Sequence, residues 1–195
     1  MRFLSHHDLM RFFERAIRRA GLPVKMSQGF NPRPRFSIAA ALGVGVAAQQ
    51  EILDIEFDQP VDPEVVRRRL AEASVPGIRI VSAERPVGRP AKVIAARYEV
   101  HLPPQISIPP DAVASLLARD EVPVERSIKD KQTRRINIRP FILDIQQSGQ
   151  TIRMRLAISD SGAARPEEVV AALAAGEIDR NSLRIVRTAL EVAPG

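Results

Sequence analysis

Residues 51–58, Glu-Ile-Leu-Asp-Ile-Glu-Phe-Asp, alternate without a break. Leu53, Ile55 and Phe57 face one way, and Asp54, Glu56 and Asp58 face the other. Strict period-two alternation specifies a half-buried strand, which needs a partner strand and a covering layer. Asp62-Pro63 follows at once and opens a helix over Glu64–Ala73, with the proline in the first turn where its missing N–H costs nothing. A sheet with helices laid on it is therefore the architecture to expect.

The remaining pattern extends this order. Leu9, Phe13, Ala16, Ile17 and Ala20 recur at helical spacing and predict an amphipathic helix over residues 5–20. Ser5 is its N-cap, Asp8 completes a partial capping box, and Gly21 and Pro23 end it. Residues 24–35 are broken by Gly29, Pro32 and Pro34 and predict an ordered loop leading into a strand near Phe36–Leu42. Ile78–Ala83 reads as a short strand. Helix, strand, strand, helix, strand is a ferredoxin-like βαββαβ unit without its first strand.

A second round follows residues 85–96, which read as a linker. Arg97–Leu102 predicts a strand, Ala112–Ala118 a helix and residues 122–128 a further strand. Ile136–Ile145 and Thr151–Ser159 predict a hairpin turning at Ser148-Gly149. Glu168–Ala175 reads as a helix and Ser182–Val192 as a closing strand. The expected fold is thus α+β, two ferredoxin-like βαββαβ units in tandem over residues 1–84 and 97–195.

Hydrophobic residues make up 45% of the 195 and aromatics only 4%, so both cores must be aliphatic. There is no cysteine. This excludes thiolate metal sites, iron–sulfur clusters and cysteine nucleophiles on this chain. No apolar run approaches the ~20 residues of a membrane span, and residues 1–7 do not read as a signal peptide. A cytoplasmic setting is the expectation.

The net charge of +6 is uneven. Residues 1–35 carry eight basic residues against two acidic ones, residues 36–60 carry four acids and no base, and residues 121–140 carry six bases against three acids. On the first helix Arg11, Arg15, Arg18 and Arg19 fall within about 100° of arc, opposite the apolar stripe. Lys25, Arg33 and Arg35 follow directly. Such a cluster suits phosphate contacts, the alternative being a solvated helix face. In the loop, Phe30 either stacks on a base or plugs the core, and Gln28 and Asn31 carry amides able to read base edges. Arg134 and Arg135, with Lys129 and Lys131 upstream, suggest a second basic surface. There Arg135, Asn137 and Arg139 share one strand face, and Ile136 and Ile138 the other.

Other constellations are weaker. Ser5-His6-His7-Asp8 invites a metal reading, but adjacent helical residues point about 100° apart, so capping is preferred and no metal or other cofactor is expected. Leu42-Gly43-Val44-Gly45 lacks the spacing of a phosphate-binding loop and reads as a tight bend. Asp54 and Glu56 are paired acids beside no evident base or pocket residue. His6 is the one weak candidate for a catalytic group, as general base in a metal-independent RNA cleavage by a 2′-hydroxyl.

Three segments carry a resemblance: residues 2–11, Arg-Phe-Leu-Ser-His-His-Asp-Leu-Met-Arg; residues 18–23, Arg-Arg-Ala-Gly-Leu-Pro; and residues 27–34, Ser-Gln-Gly-Phe-Asn-Pro-Arg-Pro. They are similar to the RFLSHLDLMR, RRAGLP and SQGFNPRP segments of the radical-SAM-linked protein family. Looser matches follow at Leu42–Gly45, Glu51–Phe57, Ile136–Pro140 and Arg165–Val169. His7 stands where that family has leucine. Members usually carry a further strand before the first segment, which implies an open first sheet here. The resemblance implies a partner, a B12-binding-type radical SAM protein encoded alongside, and a role in RNA modification or maturation. The expectation is a non-catalytic accessory protein that binds RNA, tRNA or rRNA, through the helix face and loop. A module that docks on the radical SAM partner without touching RNA is the alternative.

Overall fold

A computed structural model of the chain describes residues 5–86, 92–127, 133–174 and 178–193. They form two compact units. The first holds residues up to Val44 together with Glu51–Lys92, and the second holds Gly45–Gln50 and Val93–Ala193.

In the first unit, helix α1 (His6–Ala20) starts at a complete capping box. Ser5 Oγ accepts the Asp8 N–H at 3.2 Å, and the Asp8 carboxylate accepts the Ser5 N–H at 3.1 Å. Gly21, at φ 60°, closes the other end in the left-handed conformation that a β-carbon would strain. The buried face runs through Phe12, Ala16 and Ile17. Phe13, expected on that face, is half-buried and meets Phe12 edge to face at 5.1 Å between ring centres. Phe12 takes its place because it lies one helical turn before Ala16.

Strands β1 (Phe36–Ile38) and β3 (Leu53–Ile55) pair antiparallel, Ser37 opposite Asp54. Helix α2 (Pro63–Glu72) begins at Asp62, whose side chain accepts the Glu64 N–H. Ile17, Leu22, Val24, Val66 and Leu70 make the core, with Phe36, Ile55, Phe57, Val61, Ile80 and Ala83 packed around it. The strand expected over Ile78–Ala83 does not form. Ile80 and Ala83 pack on the core, but among the described residues no neighbouring backbone pairs with the segment, so its apolar content reports side-chain burial without a ladder. The described part of this unit accordingly lacks the four-stranded sheet of a complete βαββαβ unit.

The glycine run 42–45 is a turn, with Gly45 at φ 88°. It delivers β2 (Val46–Ala48), a strand the sequence pattern did not suggest, into the second unit. That unit continues with β4 (Val93–His101), α3 (Ala112–Leu117), the hairpin β5 (Pro123–Ser127) and β6 (Thr133–Asn137), then β7 (Ile142–Ser148), β8 (Thr151–Ser159), the short β9 (Gly162–Ala163), α4 (Pro166–Ala174) and β10 (Arg184–Val192). The main sheet runs β2-β10-β4-β8-β7. All its pairs are antiparallel except β10 with β2. β4 starts at Val93, inside the stretch expected to be linker, because Val93–Ala96 already pair with β10.

The expected strand Ile136–Ile145 is interrupted. Asn137 Oδ1 accepts the Arg139 N–H at 3.0 Å and the Val122 N–H at 2.9 Å, and Pro140 sits in the first turn of a 3-10 helix over Arg139–Phe141. An Asx turn followed by proline ends β6 at Asn137. The hairpin at Ser148-Gly149 forms as expected between β7 and β8. Val100, Leu116, Ile138, Ile152, Leu156, Val169, Val170 and Leu183 fill the core and are almost wholly buried, an aliphatic interior as the composition requires. Among the described residues no helix is long and apolar enough to cross a membrane.

Candidate functional site

On α1 the exposed face carries Arg11, Arg15, Arg18 and Arg19. Arg11 and Arg15 form no ion pair or hydrogen bond among the described residues, and neither does the head group of Arg33. Arg18 reaches Glu14 at 3.4 Å and donates to the Pro32 carbonyl at 3.2 Å. Arg19, at the edge of the stripe, donates instead to the Ala73 carbonyl at the end of α2 at 2.8 Å, while Arg69 of α2 donates to the Gly21 carbonyl at the end of α1. Each helix thus supplies the arginine that satisfies the other's last carbonyls.

Residues 24–35 fold back on themselves as an arm. Met26 bridges Pro34, the Arg35 N–H donates to the Lys25 carbonyl at 2.8 Å, and the Ser27 N–H donates to the Arg33 carbonyl at 2.8 Å. Ser27 Oγ accepts the Arg33 N–H at 3.0 Å and closes the loop beneath Gln28–Pro32. Gly29 takes φ 121°, accessible without strain to glycine alone. At the tip Phe30 is fully exposed, at 105% relative exposure, with Gln28 and Asn31 also exposed beside it. Of the two readings of Phe30, core plug is therefore excluded. The Arg18–Pro32 bond ties the loop to the arginine face of α1.

At the root of the arm three backbone segments meet. The Lys25 N–H donates to the Glu56 carbonyl and the Glu56 N–H to the Arg35 carbonyl. The side chains repeat the meeting: Arg35 Nη2 lies 3.1 Å and Lys25 Nζ 3.9 Å from the Glu56 carboxylate. Lys25 and Arg35 are thus partly neutralised, unlike Arg11, Arg15 and Arg33. Beside them Arg35, Phe36, Ser37, Asp54 and Glu56 line an open groove of about 240 Å³. The acids Asp54 and Glu56 do stand next to a base and a pocket, contrary to the reading from sequence, because the β1–β3 register brings Arg35 and Ser37 alongside them. Burial pushes the Asp54 carboxyl above its ordinary value.

A family model described as an uncharacterized protein conserved in bacteria, DUF2344, matches residues 1–166. The chain belongs to that family. No curated protein matches it. Among solved structures, a chain of the crystal structure of a Cbf5–Nop10–Gar1 complex is similar to this DUF2344 chain, with a TM-score of 0.44 and 12% identity over 96% of its residues. The DUF2344 chain spans 45% of that chain's length.

Elsewhere in the DUF2344 chain the sequence-predicted charges are divided between solvent and internal bonds. Arg135, opposite Glu125 on the β5–β6 hairpin, is exposed with Arg134. Arg139 is not on that face: it turns inward and donates to the carbonyls of Ile142 at 3.0 Å and Leu117 at 2.8 Å. Lys129 and Lys131 lie outside the described residues. Ser5-His6-His7-Asp8 serves the cap: the Ser5 hydroxyl, then the Ser5 N–H, hold the Asp8 carboxyl below its usual range, with Arg11 and His7 adding to this. His6 Nδ1 is buried and has no hydrogen-bond partner among the described residues. Among the described residues no three His, Cys, Asp or Glu side chains are grouped to hold a metal ion.

Proposed function

We propose that this chain is a non-catalytic accessory protein of the cytoplasm that binds RNA, tRNA or rRNA, for a separate radical SAM enzyme of the B12-binding type. The observation that carries the RNA reading is the Arg18–Pro32 hydrogen bond, which makes the arginine face of α1 and the arm with Phe30 one continuous cationic surface. Guanidiniums without internal partners are the groups a phosphate backbone neutralises, releasing its counterions. With no cysteine, the chain has no ligands for the cluster that radical SAM chemistry requires, so that chemistry belongs to the partner. The strand order β10-β4-β8-β7 supports a ferredoxin-like reading of the second unit: in chain order these are its fourth, first, third and second long strands.

Anisotropy of a labelled tRNA, titrated from about 50 to about 200 mM salt, tests the reading. Three phosphate contacts, by Arg11, Arg15 and Arg33, give a log–log slope of about −2 for unpaired RNA. Affinity that is flat across that range rejects the proposal. Replacing Arg11, Arg15 and Arg18 together by alanine removes RNA retention on this reading. If the same variant keeps RNA and loses capture of the radical SAM polypeptide, the surface is a protein-docking site.

A further inference from the structure

We propose that the tip of the arm is a stacking subsite for unpaired nucleotides, with Phe30 as platform, the Gln28 and Asn31 amides beside it, and Arg33 for the adjoining phosphate. This rests on the RNA-binding reading above and names which RNA the surface takes. Among the described residues every other phenylalanine and the tyrosine are buried or half-buried, whereas Phe30 is wholly in solvent. In a chain whose cores are short of aromatic rings, this one is held away from them.

The holding is specific. The loop is closed by the Ser27–Arg33 backbone and side-chain bonds, stiffened by Pro32 and Pro34, turned at Gly29 and anchored through Pro32 to Arg18. A Cβ at Gly29 would meet nothing within 4 Å, so the glycine serves the turn and not the packing. The ring is therefore displayed on an ordered arm and does not hang from a floppy one. Bases in a duplex are stacked on both faces, and the deep, narrow major groove of A-form RNA does not admit such a tip. A splayed or single-stranded base offers its π face, and aromatic side chains take it with little regard to sequence. The adjacent amides supply the hydrogen bonding that a base edge requires.

The chain contains no tryptophan, so a Phe30→Trp variant carries a single indole at the subsite. It is titrated with a single-stranded oligoribonucleotide and with its duplex at one salt concentration, following indole emission and, separately, the anisotropy of the labelled RNA. The expected result is emission quenched by the single strand with the same midpoint as the anisotropy change, and little quenching by the duplex. Phe30→Ala and Phe30→Leu should each weaken single-strand binding about tenfold and leave duplex binding unchanged. Both substitute an exposed side chain, so folding is not at risk. If RNA binds but the emission does not change and Phe30→Ala binds equally well, the stacking subsite is wrong while the basic surface stands. If the unaltered protein does not bind RNA at all, the underlying reading fails. If Phe30→Ala loses a protein partner and keeps its RNA, the tip is a protein anchor.

Discussion

On α1 the head groups of Arg11 and Arg15 make no hydrogen bond or ion pair among the described residues, whereas on the sheet of the second unit Arg97 and Arg155 converge on Glu191, at 2.7 Å each. Arg153 meets Glu99 at 2.9 Å, and His101 lies 3.1 Å from the same carboxylate. Both surfaces are rich in arginine and both reach solvent. They differ in spacing: across adjacent strands Arg97 faces Arg155 and Glu99 faces Arg153, so acids are interleaved with bases. On α1 the exposed arc holds four arginines against two neighbouring acids, Asp8, which is engaged in the helix cap, and Glu14. A cation already matched gains little from a phosphate, since it must first give up its carboxylate. On the proposed reading, the number of positive residues is therefore a poorer guide to a polyanion site than the number left unmatched and clustered on one face.

The largest test of this comparison falls on the best-matched arginine. Arg126 grips Glu168 with two bonds of 2.7 Å and the Ala163 carbonyl with a third, and both side chains are largely buried. The Glu168 hydrogen bonds raise the Arg126 pKa. Arg126→Ala leaves the largely buried Glu168 carboxylate with only the Arg165 N–H at 2.9 Å and the Arg165 guanidinium at 4.0 Å, and should cost about 2 kcal/mol. Denaturant titration should show the midpoint fall while RNA affinity holds. Loss of RNA affinity in a variant still folded would break the distinction between matched and unmatched arginines.

Local signals carried much of this into the sequence. Ser5 and Asp8, Asp62-Pro63, and Ser148-Gly149 mark a cap, a helix start and a hairpin because the atoms that satisfy each feature lie within a few residues of one another. β2 was not legible: Val46-Ala47-Ala48 has no alternation of polarity, and its partner β10 lies far along the chain. Ile78–Ala83 failed for the converse reason, being apolar enough for a strand but without a pairing strand among the described residues. At the site, the arginine stripe followed from the 3.6-residue period, but the diversion of Arg19 to Ala73 depends on how α2 packs. The exposure of Phe30 and the groove beside Asp54 are likewise set by chain segments meeting at Lys25, Arg35 and Glu56, which no local pattern announces.

Arg19 sharpens the comparison because it sits on the helix of the unmatched arginines and behaves as a matched one. Its bond to the Ala73 carbonyl satisfies an acceptor at the end of α2, so Arg19→Ala should lower stability by about 1 kcal/mol. Arg11→Ala and Arg15→Ala should leave stability within about 0.5 kcal/mol. RNA affinity should show the reverse order, with Arg11→Ala and Arg15→Ala each reducing the salt slope by about 1. If all three substitutions weaken RNA equally and none affects unfolding, the Arg19–Ala73 bond does not hold in solution, and the stripe acts as one surface of four.

The smallest effect converts the matched surface toward the unmatched one. Arg155, through its hydrogen bonds, and then Arg97 hold the Glu191 carboxyl below its ordinary value of 4.5. A carboxyl depressed in the folded state contributes stability above its unfolded pKa and loses it as pH falls through the folded one. Glu191→Gln should therefore melt about 2 °C below the unaltered protein at neutral pH. That gap should close as pH falls below 4.5 and through the depressed value, since both proteins then lack the charge. The same substitution uncovers Arg97 and Arg155 at neutral pH, so RNA should bind slightly tighter, with a salt slope steeper by about 1. Unchanged affinity, with the melting difference present, would mean that ion pairing is not what separates the two surfaces, and that the shape of the α1 face and its arm decides where RNA binds.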